Sequence, residues 1–234
     1  MTAAGDPGRH RRVPWVAGAL AAALLLVVAL VLVVASPDRE QARGGDLPSM
    51  VVVGDSISAR YTDEPGSPLQ AWWSLVAREL GYVPTVLAES GSGYQRPGAG
   101  CTGTTFGDRP GVFDQPAPDL VLVEGGRNDW ARCEGTELVP VDARLVRAAA
   151  DDFLERLTTA YPESRVVVLA PPWGPLQQRY ADAVTAAVAE AADRHGCEFV
   201  RMDGVLSAGR SPDGVHPNLV GSTAIAETVL SALS

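Results

Sequence analysis

From position 50 onward, short apolar runs alternate with longer stretches whose apolar residues recur at helical spacing. Met50–Val53, Pro84–Ala88, Leu120–Val123, Val166–Ala170 and Glu198–Met202 read as buried strands, being too short and too uniformly apolar for surface helices. Leu69–Leu80, Ala143–Ala160, Leu176–His195 and Asn218–Leu233 read as helices. Gly196 suits the position after a helix C-terminus, and Pro217 precedes a helix start, where a missing N–H costs little. Strand–helix alternation of this kind predicts an α/β domain over 50–234, a parallel sheet covered on both faces. One connection, Ser90–Asp119, shows no helical period and is rich in Gly and Pro. Loops of that length are usually functional or hide an element.

The first 49 residues follow another pattern. Val13–Ala35 carries no charge and is about 23 residues long, enough to cross a hydrocarbon core of roughly 30 Å as a helix. Arg9, Arg11 and Arg12 precede it, so residues 1–12 are expected in the cytoplasm and the remainder outside the membrane. A signal peptide cleaved near Ala35 would export the same domain, and a buried helix of a soluble protein is the third reading. Residues 36–49 have the polar, Pro- and Gly-containing composition of a linker.

The net charge of −9 argues against a nucleic-acid binder, which needs a basic face. Three cysteines in an oxidising compartment allow one disulfide. Cys101 and Cys133 are both expected in loops and are paired here, leaving Cys197 as a small buried hydrophobe; two free thiols are the alternative. No HExxH, CxxC or EF-hand pattern occurs, so no metal or other cofactor is implied. No GxSxG elbow is present.

In an open parallel sheet, ligands bind beyond the carboxyl ends of the strands. Four polar clusters are expected there: Gly54-Asp55-Ser56-Ile57, Glu89-Ser90-Gly91-Ser92-Gly93, Glu124-Gly125-Gly126-Arg127-Asn128-Asp129 and Asp213-Gly214-Val215-His216-Pro217. A serine nucleophile needs a base, and the base needs an orienting group. Of three histidines, His10 lies before the apolar run and His195 sits at a helix C-terminus, so His216 is the candidate base. Asp213 stands three residues away, where one turn presents both side chains together; a plain turn and helix start is the structural alternative. Ser56 N–H, Gly93 N–H and the Asn128 side chain are candidate donors to an oxyanion. Tyr94, Trp130 and Trp173 each follow a strand end and are candidates to line a sugar or acyl pocket, or simply to pack beneath loops.

These four clusters, in this order, resemble the SGNH/GDSL hydrolases across residues 50–234. The resemblance implies a flavodoxin-like three-layer α/β/α sandwich with a five-stranded parallel sheet. It also implies Ser56 as nucleophile, His216 as base and Asp213 as orienter, with Ser56, Gly93 and Asn128 forming the oxyanion hole. Ala88 stands where the second block often has asparagine, which leaves Gly91 as an alternative to Gly93. The expected activity is hydrolysis of a carboxylic ester on a small molecule, lipid or glycan. An O-acyltransferase using the same site and a non-catalytic surface carbohydrate-binding module are the alternatives.

Overall fold

The computed structural model describes residues 47–59, 68–176, 179 and 181–234. The expected basic N-terminus, the apolar run Val13–Ala35 and linker residues 36–46 lie outside the described residues. Among the described residues, no helix is long and apolar enough to cross a membrane.

A five-stranded parallel sheet forms the centre. It is built from β1 (Ser49–Gly54), β2 (Val83–Ala88), β3 (Leu120–Glu124), β6 (Arg165–Leu169) and β7 (Glu198–Val200), in the order β2-β1-β3-β6-β7. Between β3 and β6 the chain adds an antiparallel hairpin, β4 (Ala131–Glu134) with β5 (Glu137–Pro140). The helices are α1 (Ser56–Ala59), α2 (Trp72–Leu80), α3 (Ala143–Ala160), α4 (Ala181–Arg194) and α5 (Leu219–Leu233).

The period of two along each strand builds two cores. Val51, Val53, Val121, Val123 and Val168 meet Phe153, Leu154, Val184 and Val188 of α3 and α4 on one face. Met50, Val52, Leu120, Leu122, Val167 and Leu169 meet Trp72, Val76, Ile225 and Val229 of α2 and α5 on the other. Burial on both faces is why these strands read as unbroken apolar runs. Pro84, which cannot donate to a ladder, is accommodated on edge strand β2. The Asp142 side chain caps α3 by accepting from Arg144 N at 2.9 Å, and Asn218 caps α5 by accepting from Gly221 N at 3.0 Å.

Three expectations need correction. The stretch Leu69–Leu80 begins as a 3₁₀ turn, Pro68–Gln70, and α2 proper starts at Trp72; α4 starts at Ala181 rather than Leu176. Cys133 lies in β4, not in a loop, although it does form the disulfide with Cys101, at a Cα separation of 5.7 Å. Cys197 is free and buried, and burial pushes its thiol up to about 11.

The long β2–β3 connection is tied down from within. Arg109 donates to Gly54 O (2.9 Å), Leu87 O (2.6 Å) and Ser92 Oγ (2.6 Å), while the Glu89 carboxylate accepts from Thr104 Oγ1 at 2.6 Å. Phe106 and Val112 are fully buried beneath it. The disulfide fastens this segment to the hairpin.

Candidate active site

The sheet order places β1 and β3 side by side at its centre, where the direction of winding reverses, so their carboxyl ends open a crevice. Ser56 opens α1 immediately after β1. As the first residue of a helical turn, its N–H has no acceptor within the helix. Asp55, just before it, is buried and accepts from Ile57 N at 2.9 Å, which fixes the turn from strand into helix.

Ser56 and His216 are 160 residues apart, yet His216 Nε2 lies 2.9 Å from Ser56 Oγ. Its Nδ1 lies 2.7 Å from Asp213 Oδ2. Asp213 Oδ1 accepts from Val215 N (2.9 Å) and His216 N (2.7 Å), so the carboxylate is gripped by its own turn. Partial desolvation pulls Asp213 upward, but these hydrogen bonds and the imidazole together take it down to about 2. It is therefore ionised throughout the neutral range. Serine, imidazole and carboxylate form one hydrogen-bonded chain, the arrangement that activates a hydroxyl.

The third cluster turns sharply after β3. Gly125 (φ 155) and Gly126 (φ 106) occupy conformations that a side chain would strain, and a β-carbon on Gly125 would meet the Phe106 ring at 2.4 Å. Three consecutive side chains then diverge. Asn128 Nδ2 donates to Ser92 O (2.9 Å) and Asp55 Oδ2 (3.2 Å), joining the second cluster to the first. The Asp129 carboxylate accepts from the N–H groups of Tyr94 (2.9 Å), Gln95 and Arg96 (both 3.1 Å). Arg127 reaches the opposite way, to Leu176 O and Gly214 O. Burial raises Asp129 to about 6 despite its three donors. Glu124, the last residue of β3, is likewise raised by burial and by the nearby Asp55; it accepts from Ser58 Oγ at 2.7 Å.

Gly93 departs from expectation. Its N–H donates to Arg96 O at 2.9 Å. A trans peptide points its N–H and C=O in opposite directions, so the plane that offers Ser92 O to Asn128 turns the Gly93 N–H away. What requires glycine here is Asp129, whose carboxylate would lie 2.3–2.6 Å from a β-carbon. Gly91 (φ 78) instead packs against the backbone of Ala99.

The three aromatic candidates separate. Tyr94 is a core residue, edge-on to Phe106 (5.0 Å) and Phe153 (5.8 Å). Trp130 is half-buried at the root of the hairpin. Trp173 donates to Thr185 Oγ1 at 2.9 Å and lines a cavity of about 450 Å³ with Pro171, Asp182, Arg201 and Asp203. Sequence reasoning gave no role to Arg127, Glu124 or Arg109. For Glu124 and Arg127 the available signal was a charged residue among apolar residues and glycines at a strand end; Arg109 lies within the long β2–β3 connection. Among the described residues, no group of His, Cys, Asp and Glu is arranged to hold a metal ion.

A doubly wound sheet with a Ser-His-Asp chain at its central strand ends defines an α/β protein built around a serine. The chain belongs to the GDSL-like Lipase/Acylhydrolase family, whose model matches residues 52–224. Among solved structures it is similar to a family two carbohydrate esterase from Clostridium thermocellum in complex with cellohexaose. That match has 20% identity and TM-score 0.63, covering 80% of this chain and 63% of that one. A carbohydrate acetylesterase from Sinorhizobium meliloti matches at 18% identity and TM-score 0.62, covering 80% and 100%. A carbohydrate esterase family 2 enzyme from Corynascus thermopiles matches at 22% and 0.61, covering 80% and 65%. At these identities the likeness is one of fold. No curated protein matches the sequence.

Proposed function

We propose that this chain is an exported, membrane-anchored serine esterase that removes an acetyl or other short acyl group from a glycan through an acyl-enzyme. The observation that carries the reading is the continuous contact Ser56 Oγ–His216 Nε2, His216 Nδ1–Asp213 Oδ2. Ser56 Oγ attacks the ester carbonyl as His216 Nε2 takes its proton. His216 then returns the proton to the leaving alkoxide, and water repeats the sequence on the acyl-serine. The oxyanion is held by Ser56 N–H and by Asn128 Nδ2, which exchanges its longer bond, to Asp55, for the substrate oxygen. Gly93 takes no part while its N–H is bound to Arg96.

Glycan as the acyl carrier is supported by the carbohydrate esterases among the structural neighbours. Export is supported by the Cys101–Cys133 disulfide, a bond of oxidising compartments. Anchoring rests on the apolar run Val13–Ala35.

The test is hydrolysis of p-nitrophenyl acetate and of acetylated xylo-oligosaccharides by the wild type and by Ser56→Ala. The variant should lose at least about 10⁴-fold in kcat, and a fluorophosphonate should label the wild type at Ser56 alone. Full activity in Ser56→Ala overturns the assignment. Acetyl transfer to an added alcohol in preference to water would make the protein a transferase. Glycan binding without labelling would make it a binding module.

A further inference from the structure

We propose that Arg127 is a positioning residue that holds the Asp213–His216 turn in place against Ser56. This rests on the esterase reading above, within which no role has been given to this side chain.

The loop from β7 to α5, residues 201–218, contains no regular secondary structure. It is tied to itself: Arg210 Nη1 donates to Val205 O (3.0 Å), Asn218 N to Arg210 O (2.9 Å) and Asn218 Nδ2 to Gly209 O (2.9 Å). Such bonds give the loop a shape but do not locate it relative to β1. Met202, Val205 and Leu206 root the first half of the loop in the core, and a Ser–His contact of 2.9 Å across 160 residues also needs the second half, the Asp213–His216 turn, held to the centre of the sheet.

Arg127 meets that requirement. It directly follows the two glycines at the end of β3, the strand beside β1, and is only 4% exposed. Nη2 donates to Gly214 O at 3.4 Å, in the middle of the Asp213–His216 turn, and to Leu176 O at 3.2 Å. The guanidinium carbon lies 5.1 Å from the Trp173 ring centroid, and Trp173 is itself fixed by Thr185. Gly174 presses so closely on the turn that a β-carbon there would meet Gly214 O at 2.4 Å. One planar cation thus gathers two loops at the end of β3. A buried guanidinium is costly unless compensated, and here the charges of Asp55, Asp213 and Glu124 favour its charged form against desolvation. Both carbonyls are served from Nη2, while the guanidinium lies over the Trp173 ring; lysine keeps the charge and a donor but not the flat plane.

The experiment compares full-length wild type, Arg127→Gln and Arg127→Lys by steady-state kinetics on p-nitrophenyl acetate and by amide hydrogen exchange. Arg127→Gln should lower kcat about 10–100-fold, the penalty for a small misplacement of reacting groups, with KM within about twofold. Arg127→Lys should recover most of that loss. The Val215 and His216 amides, which bond to Asp213, should exchange at least about tenfold faster in Arg127→Gln, with β1 and β3 amides unchanged. Unchanged kcat and unchanged exchange in the turn would overturn the proposal, as would acceleration spread evenly over the sheet. If Arg127→Gln does not fold, Arg127→Lys against wild type supplies both readouts, with a smaller effect in the same direction expected. A wild type that neither hydrolyses the ester nor takes the fluorophosphonate label defeats the esterase reading instead, and the exchange comparison still decides whether Arg127 places the turn.

Discussion

Asp129 and Asp213 stand at the same edge of the sheet, and each carboxylate accepts three hydrogen bonds. Asp129 takes three backbone N–H groups; Asp213 takes two and an imidazole nitrogen. Yet Asp129 is raised to about 6 and Asp213 lowered to about 2. Donor number is therefore not what separates them. Asp129 is wholly buried, whereas the Asp213 side chain is 52% exposed and faces a ring that can carry positive charge. Desolvation outweighs three hydrogen bonds in the first case and falls short in the second. The buried aspartate shapes backbone, and the exposed one stays charged beside the His216 ring.

The sharpest way to break this comparison is Asp213→Asn. It keeps the shape of the turn while removing the charge and altering the partner offered to Nδ1. A kcat loss on the order of 10⁴-fold is expected, with a smaller cost in thermal stability from the lost charge; a kcat loss below about tenfold would show that Asp213 does not orient the base. Asp129→Ala should do the reverse in kind. It strands three buried N–H groups and should cost about 3–5 kcal/mol, seen as a lower urea midpoint, and a midpoint shift under 1 kcal/mol would contradict the scaffold role. Asn128→Ala belongs to both regions, since it ties the second cluster to Asp55, the neighbour of Ser56; kcat should fall about 10²–10³-fold.

The smallest effect is in pH. A carboxyl raised from 3.8 to about 6 on folding binds its proton more tightly in the native state. Its contribution to stability is thus greatest at low pH and declines as pH rises between those values, by on the order of 2–3 kcal/mol. Asp213 works in the opposite sense, and its contribution is lost only as pH falls below about 4 towards 2. Urea unfolding of wild type and Asp129→Asn between pH 4 and pH 7 should therefore show the wild type losing stability relative to the variant as pH rises. Parallel curves would refute the shift.

The sequence announced more of the frame than of the contacts. All five sheet strands were legible because burial on both faces leaves continuous apolar runs, and α3 was legible to its ends. The meeting of Ser56, Asp213 and His216 was legible because few residue types suit such a chain and the sequence has three histidines. The hairpin at 131–140 escaped notice: its four-residue strands are largely exposed and carry no apolar period. The bonding of the Gly93 N–H was hidden for a different reason. Its N–H turns to Arg96 O in a segment whose next three amides are held by Asp129, 36 positions from Gly93, and local sequence carries no record of that grip. Arg127 sat in view between two glycines and Asn128, but what it holds lies beyond position 170.

The bridge between Cys101 and Cys133 closes a loop of 32 residues, a crosslink that restricts the unfolded chain by about 3–4 kcal/mol. Recombinant material made in a reducing cytosol would lack it, leaving the glycine-rich β2–β3 connection held by its hydrogen bonds and buried side chains alone. Periplasmic or secreted production, or oxidative refolding, is the route that preserves the covered form.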